Sequence, residues 1–326
     1  MSISRRQFLE ASTMGGVSAC FPAVATAEKT PIPTRLLGRT GAHVSLLAMG
    51  CGSRYLMYKE EERALEALTK ALDLGITYLD TADDYGKDHL SEQRVGKAIK
   101  GRRQNLFLAT KLSNRDGQQA ARIVEESLTA LQLDQVDLIH IHSLTTEDDL
   151  ANIETKGGVL EQLLKLRDQK MTRFIGISSH SDPHVLKTAL ERHDFDCTQM
   201  ALNGALLGMK SSPGGMVPNE AMPPSFETVA LPVAVRKNMG VLAIKIFAQD
   251  ALVSQATPEK LLYYTLSLPV SAAVVGMPKL EHIEENVALA KRFTPLRKSE
   301  MEQISGTLSL KNKAKLDLFF STHVDA

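Results

Sequence analysis

Four side chains along the middle of the chain have the types that proton-transfer chemistry at a carbonyl needs: Asp80, Tyr85, Lys111 and His142. A free tyrosine, with a pKa of about 10, is a poor proton shuttle near neutrality. An ammonium beside it favours the phenolate, and a carboxylate behind the ammonium keeps that group charged and in place. A histidine next to the tyrosine can donate a hydrogen bond to a carbonyl oxygen. Together the four make a proton relay with a polarising group.

Their spacing says what must hold them. The steps from Asp80 to Lys111 and from Lys111 to His142 are both 31 residues, close to one strand, one helix and the return. Each residue closes a short apolar run: Thr77 to Asp80, Leu106 to Lys111, and Asp137 to His142. Strand ends in a parallel barrel emerge on one face, so three consecutive ends converge. Strand patterns recur at 46–50, 106–110, 137–141, 174–177, 197–201, 241–247 and 271–275, alternating with helical spacing at 60–74, 91–99, 118–131, 159–169, after Asp182-Pro183, at 227–238, after Thr257-Pro258 and at 282–290. Eight strands alternating with eight helices predict a (β/α)8 TIM barrel of the α/β class. Ahead of it, Gly38 and Gly41 sit between two short apolar arms, which predicts an N-terminal β-hairpin over the barrel floor. Between Leu202 and Ser225 the glycines and prolines predict a long irregular loop on the active face, a lid or wall for substrate.

Lysines plus arginines equal aspartates plus glutamates at 38 each, which argues against nucleic acid as a partner. The three cysteines, Cys20, Cys51 and Cys197, lack metal-ligand spacing. The first residues read Ser4-Arg5-Arg6-Gln7-Phe8-Leu9, then small apolar residues and Ala25-Thr26-Ala27. This resembles a twin-arginine signal over 1–27, with the barrel over 28–326. It implies the twin-arginine export machinery as a partner and an exported, periplasmic protein. Val17-Ser18-Ala19-Cys20 offers a second possibility, a lipid anchor through Cys20. No segment has the roughly 18 consecutive apolar residues of a membrane span.

The run Gly75-Ile-Thr-Tyr-Leu-Asp-Thr-Ala-Asp-Asp-Tyr-Gly86, with Ser91-Glu92 and Val95-Gly96 after it, strongly resembles the signature of the aldo/keto reductase family. The resemblance covers Thr34 to about Phe293. It implies hydride transfer between NADP(H), with NAD possible, and a small carbonyl or alcohol substrate. By the same resemblance Tyr85 is the acid/base, Lys111 and Asp80 tune it, and His142 orients the carbonyl. Ser178, Ser179 and Gln199 resemble carboxamide-binding positions, with Ser179 where asparagine is common. Ile244 stands where many members stack a tyrosine on the nicotinamide, and Lys245 could reach a phosphate. Gly276 to Asn286 resembles the motif for the adenosine end. It implies Lys279 at the 2′-phosphate of NADP, Glu285 and Asn286 at the adenine, and His282 where many members carry arginine. Gly50, Cys51 and Gly52 would let a ligand approach the backbone closely.

Two other readings compete. His140 and His142, with Lys111, Asp80 and His180 at neighbouring strand ends, resemble the ligand set of a metal-dependent barrel hydrolase. A non-catalytic, cofactor-sensing subunit on the same fold is the other.

Overall fold

The computed structural model of the chain describes residues 30–212, 215–218, 224–248 and 252–311. The twin-arginine stretch, the cleavage position after Ala27 and Cys20 lie outside the described residues.

The expected hairpin forms from β1 (Thr34–Leu36) and β2 (His43–Ser45), antiparallel, with Thr34 opposite Ser45. Its turn tucks Leu37, fully buried, into the barrel interior among Tyr78, Phe107, Leu138, Cys197 and Leu242. The Arg39 N–H donates to Asn238 O at 2.9 Å and its guanidinium to Phe195 O at 2.7 Å. The hairpin is therefore bolted to the segments that enter the strands, which makes it the barrel floor.

The barrel strands are β3 (Leu47–Gly50), β4 (Tyr78–Asp80), β5 (Phe107–Leu112), β6 (Val136–Ile141), β7 (Thr172–Ser179), β8 (Cys197–Ala201), β11 (Gly240–Ile244) and β12 (Ala272–Val275). They close in that order, all parallel, with β12 returning to β3. The strands are buried along almost their whole length, as expected when helices cover the outside and side chains fill the inside. Helices α1 (Glu61–Asp73), α2 (Leu90–Ala98), α3 (Gly117–Leu131), α5 (Val159–Asp168), α6 (Pro183–Arg192), α9 (Pro258–Ser267) and α10 (Leu280–Lys291) alternate with them. The last strand-to-helix starts are sharp because Asp182 and Thr257 accept hydrogen bonds from the first-turn N–H groups, with proline just inside the helix.

Five elements differ from the sequence expectation. The 227–238 helix is split into α7 (Phe226–Val229) and α8 (Leu231–Arg236), because Pro232 has no N–H to donate and its ring obstructs the preceding turn. The 202–225 segment is not wholly irregular: β9 (Met209–Ser212) pairs antiparallel with β10 (Gly215–Pro218), with Gly215 opposite Ser212. The Met209 N–H donates to His180 O, tying this hairpin to the end of β7. Helix α4 (Glu147–Glu154) lies on the active face, and α11 (Lys298–Lys311) follows the barrel. The strand read as 241–247 ends at Ile244, since Lys245 takes left-handed backbone at φ 58°.

Candidate active site

A cavity of about 740 Å³ opens at the C-terminal ends of the strands, between the β3–α1 loop on one side and the β5 and β6 loops on the other. Gly50, Asp80, Tyr85, His142, Ser178, Gln199, Ile244 and Lys245 line it. The alternation of each strand decides this. On β4, Tyr78 and Asp80 point inward, one above the other, and the chain then turns so that Tyr85 folds back over the mouth. Gly52 leaves room for that ring: a Cβ there would press on it at 3.1 Å.

Beneath the cavity the charges are locked. Lys111 Nζ donates to Asp80 Oδ2 at 2.6 Å and to Thr81 O at 2.8 Å. Gln199 Nε2 donates to the other Asp80 oxygen at 3.0 Å. Lys111 is 1% exposed and Asp80 4%. Burial works against the lysine's charge, but Asp80 and Tyr85 more than offset it and hold the ammonium well above its usual range. The Lys111 nitrogen lies 4.6 Å from the centre of the Tyr85 ring. Burial pushes the Tyr85 hydroxyl up, and Lys111 pulls it down without prevailing. The expectation of a lysine-lowered phenol therefore holds in direction for Lys111 alone; in the free protein desolvation wins and Tyr85 is a neutral phenol with a proton to give.

The opposite wall is built by loops. His142 packs edge-on to Tyr85, with ring centres 5.6 Å apart. Its Nδ1 lies 3.1 Å from Ser113 Oγ and 3.3 Å from Asp84 Oδ1, while Ser113 Oγ donates to Asp84 Oδ2 at 2.7 Å. Arg115 donates to His142 O at 2.8 Å and grips Asp149 through two nitrogens, at 2.8 and 3.0 Å. The two adjacent carboxylates diverge. Burial and its neighbour Asp84 push Asp83 up to about 6. Burial also acts on Asp84, but the hydrogen bond and charge of His142, with Ser113, bring it down to about 2. Sequence reasoning passed over Asp83, Asp84, Ser113, Arg115 and Asp149; Asp84 sat one residue from Tyr85 inside the quoted signature.

Other expected residues lie elsewhere. The Cys51 thiol is fully buried behind β3 and its backbone is engaged, N–H to Asp80 O and carbonyl from Ser91 Oγ. Ser179 is buried and donates to Leu144 O at 2.7 Å, so it does not line the cavity, whereas Ser178 and His180 do. Lys279 and Glu285 are exposed at and beyond the start of α10, and His282 is half-buried there. Asn286 is buried and donates to His282 O at 2.8 Å. None of these four lines the cavity, although Gly276, just before them, does. The space spared by Gly50 and Gly276 goes to neighbouring protein: a Cβ on Gly50 would crowd Gly276 N, and one on Gly276 would strike the Arg54 side chain. His140 is fully buried, with Gly176 leaving room for its ring, and it stays neutral because burial and the charges of Lys111 and His142 disfavour its protonation.

A closed parallel barrel carrying an acid/base cluster at the C-terminal ends of its strands defines a (β/α)8-barrel enzyme. The family model of the aldo/keto reductase family matches residues 48–260, and the chain belongs to that family. It is similar to the uncharacterized oxidoreductase YqkF of Bacillus subtilis, 28% identical over 293 residues, covering 80% of this chain and 92% of the relative. It is also similar to the L-galactose dehydrogenase of Arabidopsis thaliana, 27% identical over 308 residues, covering 82% and 91%. The holo form of the aldo-keto reductase AKR11C1 from Bacillus halodurans superposes with a TM-score of 0.68 at 26% identity, covering 85% of this chain and 96% of that one. The chain is an oxidoreductase, and the metal-hydrolase reading falls with that assignment: His140 is sealed inside the barrel and does not face the cavity with His142. Among the described residues no helix is long and apolar enough to cross a membrane.

Proposed function

We propose that the protein transfers a hydride between NADP(H) and a small carbonyl or alcohol, with Tyr85 as the acid/base. The observation that supports this most directly is Tyr85 lining the cavity as a neutral phenol, its ring beside the buried Lys111–Asp80 pair and edge-on to His142. The cavity's donor set fits a dinucleotide. Arg54 and Lys245 bring positive charge to the side where β3, β11 and β12 end, and Ser178 and Gln199 bring polar atoms to the centre. A nicotinamide dinucleotide, when bound, supplies the hydride. Tyr85 gives its proton to the oxygen of the carbonyl, and Lys111 stabilises the phenolate left behind. Asp80 keeps Lys111 charged, and Gln199 keeps Asp80 turned toward it. His142 orients the substrate oxygen. Lys279, exposed at the start of α10, supports a preference for NADP over NAD by offering a cation to a 2′-phosphate.

The test is nicotinamide absorbance followed with a panel of aldehydes, ketones, sugars and polyols, beside binding of NADPH and NADH to the same preparation. Turnover with dinucleotide consumed one for one is expected. Tight dinucleotide binding with no turnover on any of them would favour the cofactor-sensing reading, and absence of binding would end both.

A further inference from the structure

The two acceptors around one nitrogen of His142 fix more than its position. Ser113 gives its hydroxyl hydrogen to Asp84 Oδ2 at 2.7 Å, so the Ser113 oxygen meets His142 Nδ1, 3.1 Å away, as an acceptor. Asp84 Oδ1, 3.3 Å from the same nitrogen, is a carboxylate oxygen and accepts only. The hydrogen of the neutral ring therefore belongs on Nδ1. A neutral imidazole carries one N–H, which leaves a bare lone pair on Nε2. That lone pair cannot donate to a carbonyl oxygen.

We propose that Asp84 and Ser113 are positioning residues that lock neutral His142 in its Nδ1–H tautomer, so that the ring donates to a substrate carbonyl only as the imidazolium. This rests on the reading of His142 as the group that faces the substrate oxygen. Carbonyl reduction then requires one more proton on the site than Tyr85 alone supplies, and the ring works as a cation. The surrounding charges are mixed. Asp83 and Asp84, from the loop after β4, favour the imidazolium. Lys111 of β5 and Arg115, which donates to the His142 carbonyl, oppose it. Tyr85 is neutral at its edge, and His140, two residues earlier on β6, is kept neutral by burial. Asp84 is the acid in direct reach, which is why its carboxylate is held down to about 2 with His142 as the leading cause against burial.

The substitution Asp84→Asn separates this from a merely structural role. It keeps the shape of the side chain but lets an amide N–H face Nδ1, which permits the Nε2–H tautomer in the neutral ring. Long-range proton–nitrogen correlation spectra of the histidine-labelled full-length protein, assigned by loss of the His142 signal in His142→Gln, read the tautomer without any substrate. In the wild type at about pH 9, above the usual histidine range, Nδ1 is expected to carry the hydrogen, and in Asp84→Asn it moves to Nε2. In kinetics, wild-type kcat/KM for carbonyl reduction is expected to fall about tenfold per pH unit on a basic limb that Asp84→Asn loses. A neutral wild-type ring protonated on Nε2, or an Asp84→Asn profile with the wild-type basic limb, would overturn the proposal. The spectra stand whether or not the enzyme turns over the chosen carbonyl, so failure of the hydride-transfer reading is distinguishable from failure of this one.

Discussion

The two walls of the cavity use the same chemistry, a carboxylate next to a group that can carry positive charge, under opposite conditions. Beneath Tyr85, Asp80 and Lys111 are 4% and 1% exposed and each makes a second hydrogen bond inside the protein. Across the mouth, Asp84 is 48% exposed and His142 14%, and their contacts come from loop side chains. Coulomb attraction between charges about 4 Å apart ranges from about 1 kcal/mol in water to about 4 kcal/mol at the effective dielectric near a protein surface. The floor pair is drier still, and further hydrogen bonds from Gln199 and to Thr81 O hold it in place. The rim pair sits where water competes. One wall is sealed from water and the other is open to it, which suits the proposed role of Tyr85 between them.

The strongest way to break this division is at the group both walls serve. Tyr85→Phe removes the one hydroxyl that the floor tunes and the rim faces. General acid catalysis typically contributes about 10²- to 10⁴-fold, so kcat for carbonyl reduction should fall by that range while NADPH titration shows binding nearly unchanged. A variant that keeps most of its turnover would remove Tyr85 from the chemistry.

On the floor, Lys111→Met leaves the Asp80 carboxylate buried with only Gln199 to satisfy it. Breaking a buried pair from one side typically costs about 3–5 kcal/mol, so chemical denaturation should show a loss of that size together with loss of activity. The double variant Lys111→Met with Asp80→Asn should regain much of the stability and none of the activity. Equal stability of the single and double variants would show that the charge was not locked.

On the rim, the prediction is one of sign. Asp83 is pushed up to about 6 against about 3.9 in an unfolded chain. Between those values the folded state keeps a proton that the unfolded state releases, so stability is full below about pH 4 and falls as pH rises to about 6. Two pH units correspond to about 3 kcal/mol, and partial exposure reduces this to roughly 1 kcal/mol. Asp83→Asn should therefore raise Tm at about pH 7.5 by a few degrees and leave it unchanged at about pH 3, below the onset. Asp84, held down to about 2, contributes in the other sense: its stabilisation is present above about pH 4 and is lost as pH falls through about 2. Asp84→Asn should lower Tm at about pH 7.5. The same sign for both substitutions would show that the rim carboxylates are not differently held.

The walls also differ in how much the sequence disclosed. The floor was legible because Asp80 and Lys111 close apolar runs that mark strands, at the last and next-to-last positions of β4 and β5, and because a barrel brings consecutive strand ends together. His142 was legible for the same reason. The rim was not. Ser113 and Arg115 follow the end of β5 by one and three residues, in a Ser-Asn-Arg-Asp stretch that reads as an ordinary polar turn. Asp149 belongs to α4, whose buried face is only Leu150 and Ile153, too few positions for helical periodicity to show. Helix α11 was missed for a similar reason: its apolar residues do not fall on one stripe, so spacing gave no signal. The β9–β10 pair was hidden because glycine and proline mark a turn equally well in a hairpin and in an irregular loop. Loop contacts depend on which loops the closed barrel makes neighbours, and spacing along the chain does not encode that.

The smallest expected effect sharpens the contrast between two lysines. Lys111 is enclosed, and its removal disturbs fold and chemistry together. Lys279 is exposed at the N-cap of α10, beyond the cavity's described lining, where water screens its charge. A solvent-exposed ion pair is typically worth about 0.2–1 kcal/mol, a change in dissociation constant of about fivefold at most. Lys279→Ala should therefore weaken NADPH by up to about fivefold, leave NADH unchanged, and have no measurable effect on Tm. Because exposed charges are screened over about 10 Å at 0.1 M salt, the difference between wild type and variant should shrink as salt is raised. Direct titration of both dinucleotides at low and high ionic strength checks this. Equal losses for NADPH and NADH would place Lys279 at a group the two share, and no loss for either would move recognition of the 2′-phosphate to another cation of the wall.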